Sequence, residues 1–597
     1  MTTAQSIGNR IRLIGSFGSI FHGATMIYKW IQPFEADTEK ISTISKQLNI
    51  HPIIAGILLS REINSKSKIE KYFRSNLNDL YDPYLIPDME IAVKRIIKAL
   101  RTGENIVIYG DYDVDGVTSV SILYDSIFHL GGKVSFFIPN RFKEGYGVSE
   151  QGIKNVINRD ASLIITVDCG ITAVEEVNYA RKKNIDVIIC DHHEPGEELP
   201  NSVAVLNPKL KNSRYPFKEL AGCGVAFKLL QALTLNLGFE QDYAYKYLDL
   251  VAIGTAADIV QLVDENRILV KNGLEIINKS PRPGIYALLE IAGILNRNLT
   301  VNSIVFMLAP RLNAVGRISN AKKAVHLLTS QSMQQGKNIA RILENENRAR
   351  KNIDEVTFEE AKAIVEKDVD LESKRILVVA NKGWHTGVIG IVASRLMEKY
   401  NRPAILISIE NGIGKGSARS TQNFDIYEAF YKLKELLINF GGHRYAAGIT
   451  VKEENIPLLD EEINKLSISE ISPEDLTPKL QIDAEIKFEQ LNATFFKGLK
   501  MLAPFGPNNM RPVFITNNLE ICGKVSIVGS NHIKVKFKQN GVVLDAIGYN
   551  LAKYIDFFNQ EGNYINCAYV LEETKWDGQT TIQMRLKDFE VEKNGRA

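Results

Sequence analysis

The sequence predicts an α/β protein: a doubly wound parallel-sheet domain, a long connector helix, a second, smaller α/β domain and a small C-terminal β-barrel. Three observations predict it. Between Ile106 and Asp191, apolar runs alternate with amphipathic segments, the pattern of a parallel sheet with right-handed crossovers. Residues 333–367 keep rough helical spacing with no proline, and their one glycine lies in the first turn. Beyond residue 478, short alternating segments are separated by turns such as Gln539-Asn540-Gly541.

The totals exclude several classes. A net charge of +2 on 597 residues leaves no bulk attraction for nucleic acid, so an anionic partner must meet a local patch. The five cysteines (Cys169, Cys190, Cys223, Cys522, Cys567) form no CxxC pair, which excludes a zinc ribbon and fits a reducing, cytoplasmic setting. No apolar run approaches the length of a membrane span, so no membrane partner is expected. Residues 1–25 make a poor signal peptide and read as a non-native or disordered extension, with Met26 as the true start.

From Met26 to Leu80 the pattern gives short helices over 41–48 and 53–59, and residues 91–100 form an amphipathic helix. Ile106-Val107-Ile108-Tyr109 then reads as a buried strand running into Gly110-Asp111-Tyr112-Asp113-Val114-Asp115-Gly116, with a helix from 117 to 130. Three acids crowded at a strand end repel one another, and a divalent metal is the obvious remedy. Strands at 134–138, 163–167 and 187–190 follow, with a helix over 172–183. Two of these strands end in Asp168-Cys169-Gly170 and Asp191-His192-His193. Sites in open α/β sheets lie at the carboxyl ends of strands, so the three runs point to one shared site. Each acid taken singly could instead cap a helix. Asp258 ends an apolar segment as a lone acid, either a fourth metal ligand or a helix end facing water.

The loop 139–147, with Arg141 and Tyr146, is basic, aromatic and glycine-rich, and suits contact with a phosphate or base. Residues 310–317, with Arg311, Asn313 and Arg317, read as a tight glycine-containing turn suited to phosphate. In the second α/β domain, strands at 376–380 and 404–407 flank a helix over 388–400. Two glycine-rich turns follow, at 414–420 (with Ser417 and Arg419) and 441–444 (with Gly442 and His443), which could present N–H groups and a cation to phosphates. The polar middle of the 333–367 helix suits a rigid connector. The barrel is of the oligonucleotide-binding (OB) type, and Lys524, Lys534, Lys536 and Lys538 with Phe537 could form a basic stacking face for single strands.

Asp111-Tyr112-Asp113-Val114-Asp115-Gly116, Val167-Asp168-Cys169-Gly170 and Asp191-His192-His193 resemble the DHH phosphoesterase superfamily. The 141–147 loop, Trp384-His385-Thr386-Gly387-Val388-Ile389-Gly390, Gly441-Gly442-His443 and the terminal barrel resemble its bacterial single-stranded-DNA exonucleases. The resemblance covers the chain from about Met26 onward. It implies a DHH domain at 26–330 with N-terminal helices, a connector helix at 331–368, a DHH-associated α/β domain at 369–466, a linker at 467–478 and an OB-type nucleic-acid-binding domain at 479–597. It implies that Asp113, Asp115, Asp168, His192 and Asp258 hold two divalent ions, with Asp168 bridging and Asp111 close by. Manganese is the usual ion and magnesium a competent substitute. It implies a 5′-to-3′ exonuclease of DNA repair and recombination that releases 5′-mononucleotides by two-metal hydrolysis, with Asp115, Asp168 and His193 at the chemistry. Arg311, Asn313, Arg419 and His443 would grip 5′ phosphates, and a channel between the α/β domains would exclude duplex. It further implies a monomer that works with single-strand-binding protein and a helicase. One departure is visible: Pro504-Phe505-Gly506-Pro507-Asn508-Asn509 has asparagine where the family turn usually has glycine, and asparagine also tolerates φ > 0. Two alternatives remain. A dinucleotide phosphodiesterase would need neither barrel nor connector, and a DNA-binding scaffold without catalysis would be free to lose ligands.

Overall fold

The computed structural model describes residues 28–33, 37–140, 147–559, 564–576 and 579–592. The expectation for residues 1–25 and Met26 therefore lies outside the described residues, as do Arg141 and Tyr146. The chain divides into two compact units. One comprises residues 33–352 with 482–597; the other comprises 353–481 with the residues up to 32. No described helix is long and apolar enough to cross a membrane.

In the first unit, strands Asn105–Gly110 (β1), Lys133–Phe137 (β2), Leu163–Val167 (β3), Asp186–Cys190 (β4) and Ala204–Leu206 (β5) form an all-parallel sheet of order β2-β1-β3-β4-β5. β1 and β3 are apolar because helices cover both faces of the sheet. β5 and the helix Glu150–Ile157 were not anticipated. Three residues are too few to show a period, and the helix buries only Gly152, Ile153 and Val156. The helix after β1 spans Val114–His129 and starts earlier than 117, because the Asp113 carboxylate caps it by accepting from the Gly116 N–H at 3.0 Å.

The helical layer on this sheet contains a buried polar cluster. Lys228 on the helix Gly222–Asn236 pairs with Glu265 on the helix Asp264–Lys279 at 2.7 Å, both fully buried. Glu265 also accepts from the Tyr215 hydroxyl at 2.5 Å and the Tyr81 N–H at 2.8 Å, and Lys228 donates to the Tyr81 carbonyl at 2.8 Å. Every charge there is answered, which is what makes its burial tolerable.

The helices Thr38–Leu48, Pro52–Ser60 and Lys66–Arg74 differ from expectation in where they pack: they share a core with the C-terminal barrel. The third of them was not predicted, since Ile69 is its sole buried residue in a charged run. The barrel sheet contains Ala484–Glu485 (β6), Phe514–Ile521 (β7), Ser526–Val528 (β8), His532–Gln539 (β9), Val542–Gly548 (β10), Tyr564–Trp576 (β11) and Gln579–Glu592 (β12). Its order is β6-β7-β11-β12-β10-β9-β8, and pairing of β7 with β9 closes five strands into an OB-type barrel. Alternation along β9 turns Lys534, Lys536 and Lys538 outward and buries Phe537 completely, so Phe537 cannot stack on a base. Arg267, which is buried, joins the barrel side to the helical layer. It donates to the carbonyls of Met501, Leu502 and Pro504 at 3.0–3.5 Å and lies 3.9 Å over the Tyr72 ring. Asn508 has φ 57°, the turn expected of it.

In the second unit, Leu377–Lys382 (β13), Ala404–Glu410 (β14), Ile413–Arg419 (β15), Leu437–His443 (β16) and Ala446–Lys452 (β17) form a sheet of order β16-β17-β15-β14-β13, parallel only between β13 and β14. The segments 414–420 and 441–444, expected as turns, are therefore largely strands. A Cβ on Gly416 would meet Ile449 at 2.6 Å, so the glycine marks close packing within the sheet and not a loop. The expected linker at 467–478 begins inside the helix Ile456–Glu470, where Ser467 is buried, and continues as a short 3₁₀ turn. Lys479–Gln481, expected to open the barrel, pairs in parallel with Lys29–Ile31. The connector helix spans Met333–Asp368. Along its polar middle Glu344, Asn347, Arg350 and Asp354 are all buried.

Changing Lys228 to Met would strand a buried Glu265 carboxylate. We expect a loss of about 3–5 kcal/mol in urea unfolding, recovered only in part by adding Glu265→Leu, which leaves the Tyr215 hydroxyl and the Tyr81 N–H without their acceptor.

Candidate active site

The strand order reverses between β1 and β3, and a crevice for ligands forms at such a switch point. Asp111 follows β1 directly and Asp168 follows β3. Asp191, His192 and His193 follow β4, and Asp258 caps the C-terminus of the helix Leu248–Ala257. Three overlapping sets of side chains converge: Asp111, Asp113 and Asp168; Asp115, His192 and Asp258; and Asp168, His192 and His193, each with its ligand atoms within 4.8 Å of one another. Asp168 and His192 each belong to two sets. His192 Nε2 stands 3.1 Å from Asp168, 3.7 Å from Asp258 and 3.9 Å from Asp115.

The acids are held from behind by backbone. Asp115 accepts from the Gly222 N–H at 2.6 Å and the Cys223 N–H at 2.9 Å, the first residues of their helix, whose dipole favours an anion there. A Cβ on Gly222 would lie 2.7 Å from Asp168 Oδ1, so only glycine lets this helix start approach both carboxylates. Asp168 itself adopts φ 58°, a left-handed conformation uncommon outside glycine. Asp191 belongs to none of the three sets. It accepts from the N–H groups of Ile171, His192 and His193 and from His193 Nδ1 at 2.8 Å. Asn207 donates to the His193 carbonyl at 2.9 Å.

Burial, then repulsion from Asp115, Asp113, Asp258 and Asp111, pushes the Asp168 carboxyl far above the usual range. Burial and neighbouring acids raise Asp258 and Asp113 too. Burial lowers His192, which favours the neutral ring that ligates a metal. Although burial opposes it, the His193 ring holds Asp191 down to about 2. His193 moves up despite burial, under the pull of Asp191. The buried atoms His192 Nε2 and Asp258 Oδ2 have no hydrogen-bond partner. Mixed carboxylate and imidazole donors that repel one another, with orphaned atoms, fit divalent ions of the manganese and magnesium class.

The other predicted residues belong to none of these sets. Arg311, Asn313 and Arg317 sit on the helix Ala309–Ile318 and not in a turn. Gly316 lets that helix close on the acid loop, where a Cβ would meet the Tyr112 carbonyl at 2.8 Å. Arg311 is buried and paired with Glu344 at 2.7 Å. In the second unit, Arg419 and Ala446 pair across strands, as do Ala446 and His443, so one row carries both basic residues, and Arg419 donates to Ser417 Oγ at 3.2 Å. Gly442 precedes His443 on β16. Sequence reasoning missed the Gly222–Cys223 cradle. The small-residue run Ala221-Gly222-Cys223-Gly224 was its signal, but the partner lies more than a hundred residues away. It also missed the supporting roles of Asp191 and Asn207, whose partners lie within 20 residues but are brought together only by the loops that leave the sheet.

Three family models match the chain: the DHH family N-terminal domain over 105–255, the DHHA1 domain over 373–467 and the RecJ OB domain over 482–588. The single-stranded-DNA-specific exonuclease RecJ of Bacillus subtilis is 38% identical over 93% of this chain and 70% of its own length. That of Haemophilus influenzae is 33% identical over 92% of this chain and 97% of its own. The chain belongs to the RecJ family of single-stranded-DNA-specific exonucleases. The crystal structure of Thermus thermophilus RecJ in complex with Mn2+ superposes with a TM-score of 0.80 at 26% identity, covering 94% of this chain and 79% of that one. The Mg2+ complex gives 0.74. All the RecJ domain types that match thus lie where the sheets and barrel lie, and the acid crowd falls within the DHH match or, for Asp258, just beyond it.

Gly222→Ala should displace Asp168 and the N–H pair on Asp115. We expect Mn2+ affinity to fall about 10–100-fold by titration calorimetry, with the far-ultraviolet circular dichroism unchanged.

Proposed function

We propose that this chain is a 5′-to-3′ exonuclease of single-stranded DNA that releases 5′-mononucleotides, using two divalent ions, manganese or magnesium. The observation that carries the proposal is the sharing of Asp168 and His192 among overlapping ligand sets in a chain of the RecJ family. Asp111, Asp113, Asp115, Asp168, His192 and Asp258 would hold the ions. When bound, the ions supply Lewis acidity that ionises water near neutral pH and offsets charge on a phosphate.

The chain's own groups do the rest. The Gly222 and Cys223 N–H groups hold the Asp115 carboxylate in place from behind. Asp191 fixes the His193 ring through Nδ1 and favours its protonated form, so His193 is suited to deliver a proton to the departing 3′ oxygen. The helix carrying Arg311, Asn313 and Arg317 lies against the acid loop, and Ser417, Arg419, Gly442 and His443 offer a second set of donors for 5′ phosphates. The exposed Lys524, Lys534, Lys536 and Lys538 on the barrel would track a strand's backbone. Duplex must be opened first, so a helicase and a single-strand-binding protein are natural partners in repair and recombination. We take the enzyme to act as a monomer in the cytoplasm.

Strands labelled at one end or the other separate the outcomes. With Mn2+, the 5′ label should appear at once as mononucleotide while 3′-labelled strands shorten stepwise. The opposite pattern overturns the direction, and intact strands overturn the activity. Asp168→Ala should abolish hydrolysis by several orders of magnitude and leave strand binding in place.

A further inference from the structure

Five carboxylates (Asp111, Asp113, Asp115, Asp168 and Asp258) line the metal-holding sets. Two divalent ions bring four positive charges against these five carboxylates, so an arriving phosphodiester with its own negative charge finds little net attraction there. Either a local cation helps to receive it or affinity suffers. Arg311, the arginine on the helix against the acid loop that sequence reasoning favoured, is already paired with Glu344.

Lys209 is better placed. It follows β5, and its backbone N–H donates to Asn207 Oδ1 at 2.8 Å while Asn207 Nδ2 donates to the His193 carbonyl. One side chain thus ties the Lys209 backbone to the histidine pair. The Lys209 ammonium pairs at 2.9 Å with Glu194, the residue after His193. The lysine side chain is 19% exposed and the glutamate 73%, so the pair sits at the rim with the lysine on the inner side. Glu194 directly follows the His192–His193 pair, and Asn207 bonds both the Lys209 backbone and the His193 carbonyl, so the Lys209–Glu194 pair is anchored at the rim beside the histidines of the ligand sets.

Resting on the exonuclease assignment, we propose that Lys209 is a substrate-binding residue of this site: it exchanges the exposed Glu194 carboxylate for a non-bridging oxygen of the phosphate at or next to the scissile bond. A solvent-exposed ion pair holds its partner weakly, so the exchange is easy, and the flexible lysine stem supplies a point charge able to follow the strand. Glu194 keeps the ammonium extended and away from the aspartates until a strand arrives.

The test uses the full chain with Mn2+ and a 5′-phosphorylated oligonucleotide. Lys209→Met should raise KM about tenfold and flatten the dependence of log KM on log salt by about 0.7. Lys209→Arg should restore most of both, and Mn2+ affinity should be unchanged or tighter. Glu194→Gln should move KM the other way. Unchanged KM and salt slope in Lys209→Met, or Mn2+ affinity falling in step with activity, overturns the assignment. Failure of the unaltered chain to bind or digest the strand overturns the exonuclease proposal instead, so the two failures are distinct.

Discussion

Repulsion among carboxylates is the constraint around which the catalytic half of the molecule is arranged. Five aspartates from three separate segments converge where like charge is least welcome, at strand and helix ends. An arrangement of that kind persists only if the surrounding fold overdetermines it and a cation completes it. The overdetermination is visible in detail: a left-handed backbone at Asp168, a helix start pressed against Asp115, and a buried Asp191 that takes four donors and orients the His193 ring. These supports are backbone groups or fully buried side chains, so they hold their positions without rotamer freedom.

The parallel sheet makes the convergence possible. Because the strand order reverses between β1 and β3, the loops leaving those strands diverge and open a crevice between them, and β4 delivers its histidines beside it. The helical layer then completes the site from the other side, through Gly222 and Asp258. In the second unit the basic row on β15 to β17 depends on a different device, in which glycine in the strands lets neighbouring side chains cover the sheet closely.

Much of this was legible in the sequence where the signal is local. Strand ends carrying acids, the long helix and the barrel hairpin at Gln539-Asn540-Gly541 follow from apolar runs, periodicity and turn chemistry, which neighbours in the chain decide. What was not legible is decided at a distance. Glycine in 414–416 and 441–442 suggested loops, but strand pairing overrode that preference. Residues 310–317 read as a turn because Pro310 and Gly316 break helices in isolation; here Pro310 falls in the first turn of a helix, where its missing N–H does no harm, and Gly316 meets a carbonyl. The polar middle of the connector showed its charge in the sequence but not the partner that charge meets, Arg311 for Glu344. Phe537 looked available for stacking until the register of β9 set its face.

The helices at 38–74 and the barrel at 484–592 form a single core, with Ile54, Leu58 and Ile69 beside Phe495, Phe514 and Tyr569. On a ribosome the first of these groups emerges more than four hundred residues before the last. Until the final strands are made, the early helices carry an apolar face with nothing to cover it, while the parallel sheet between them can already close. Vectorial synthesis therefore assembles the acid-bearing crevice before the barrel, and it leaves the N-terminal helices as the stretch of nascent chain that most needs a chaperone.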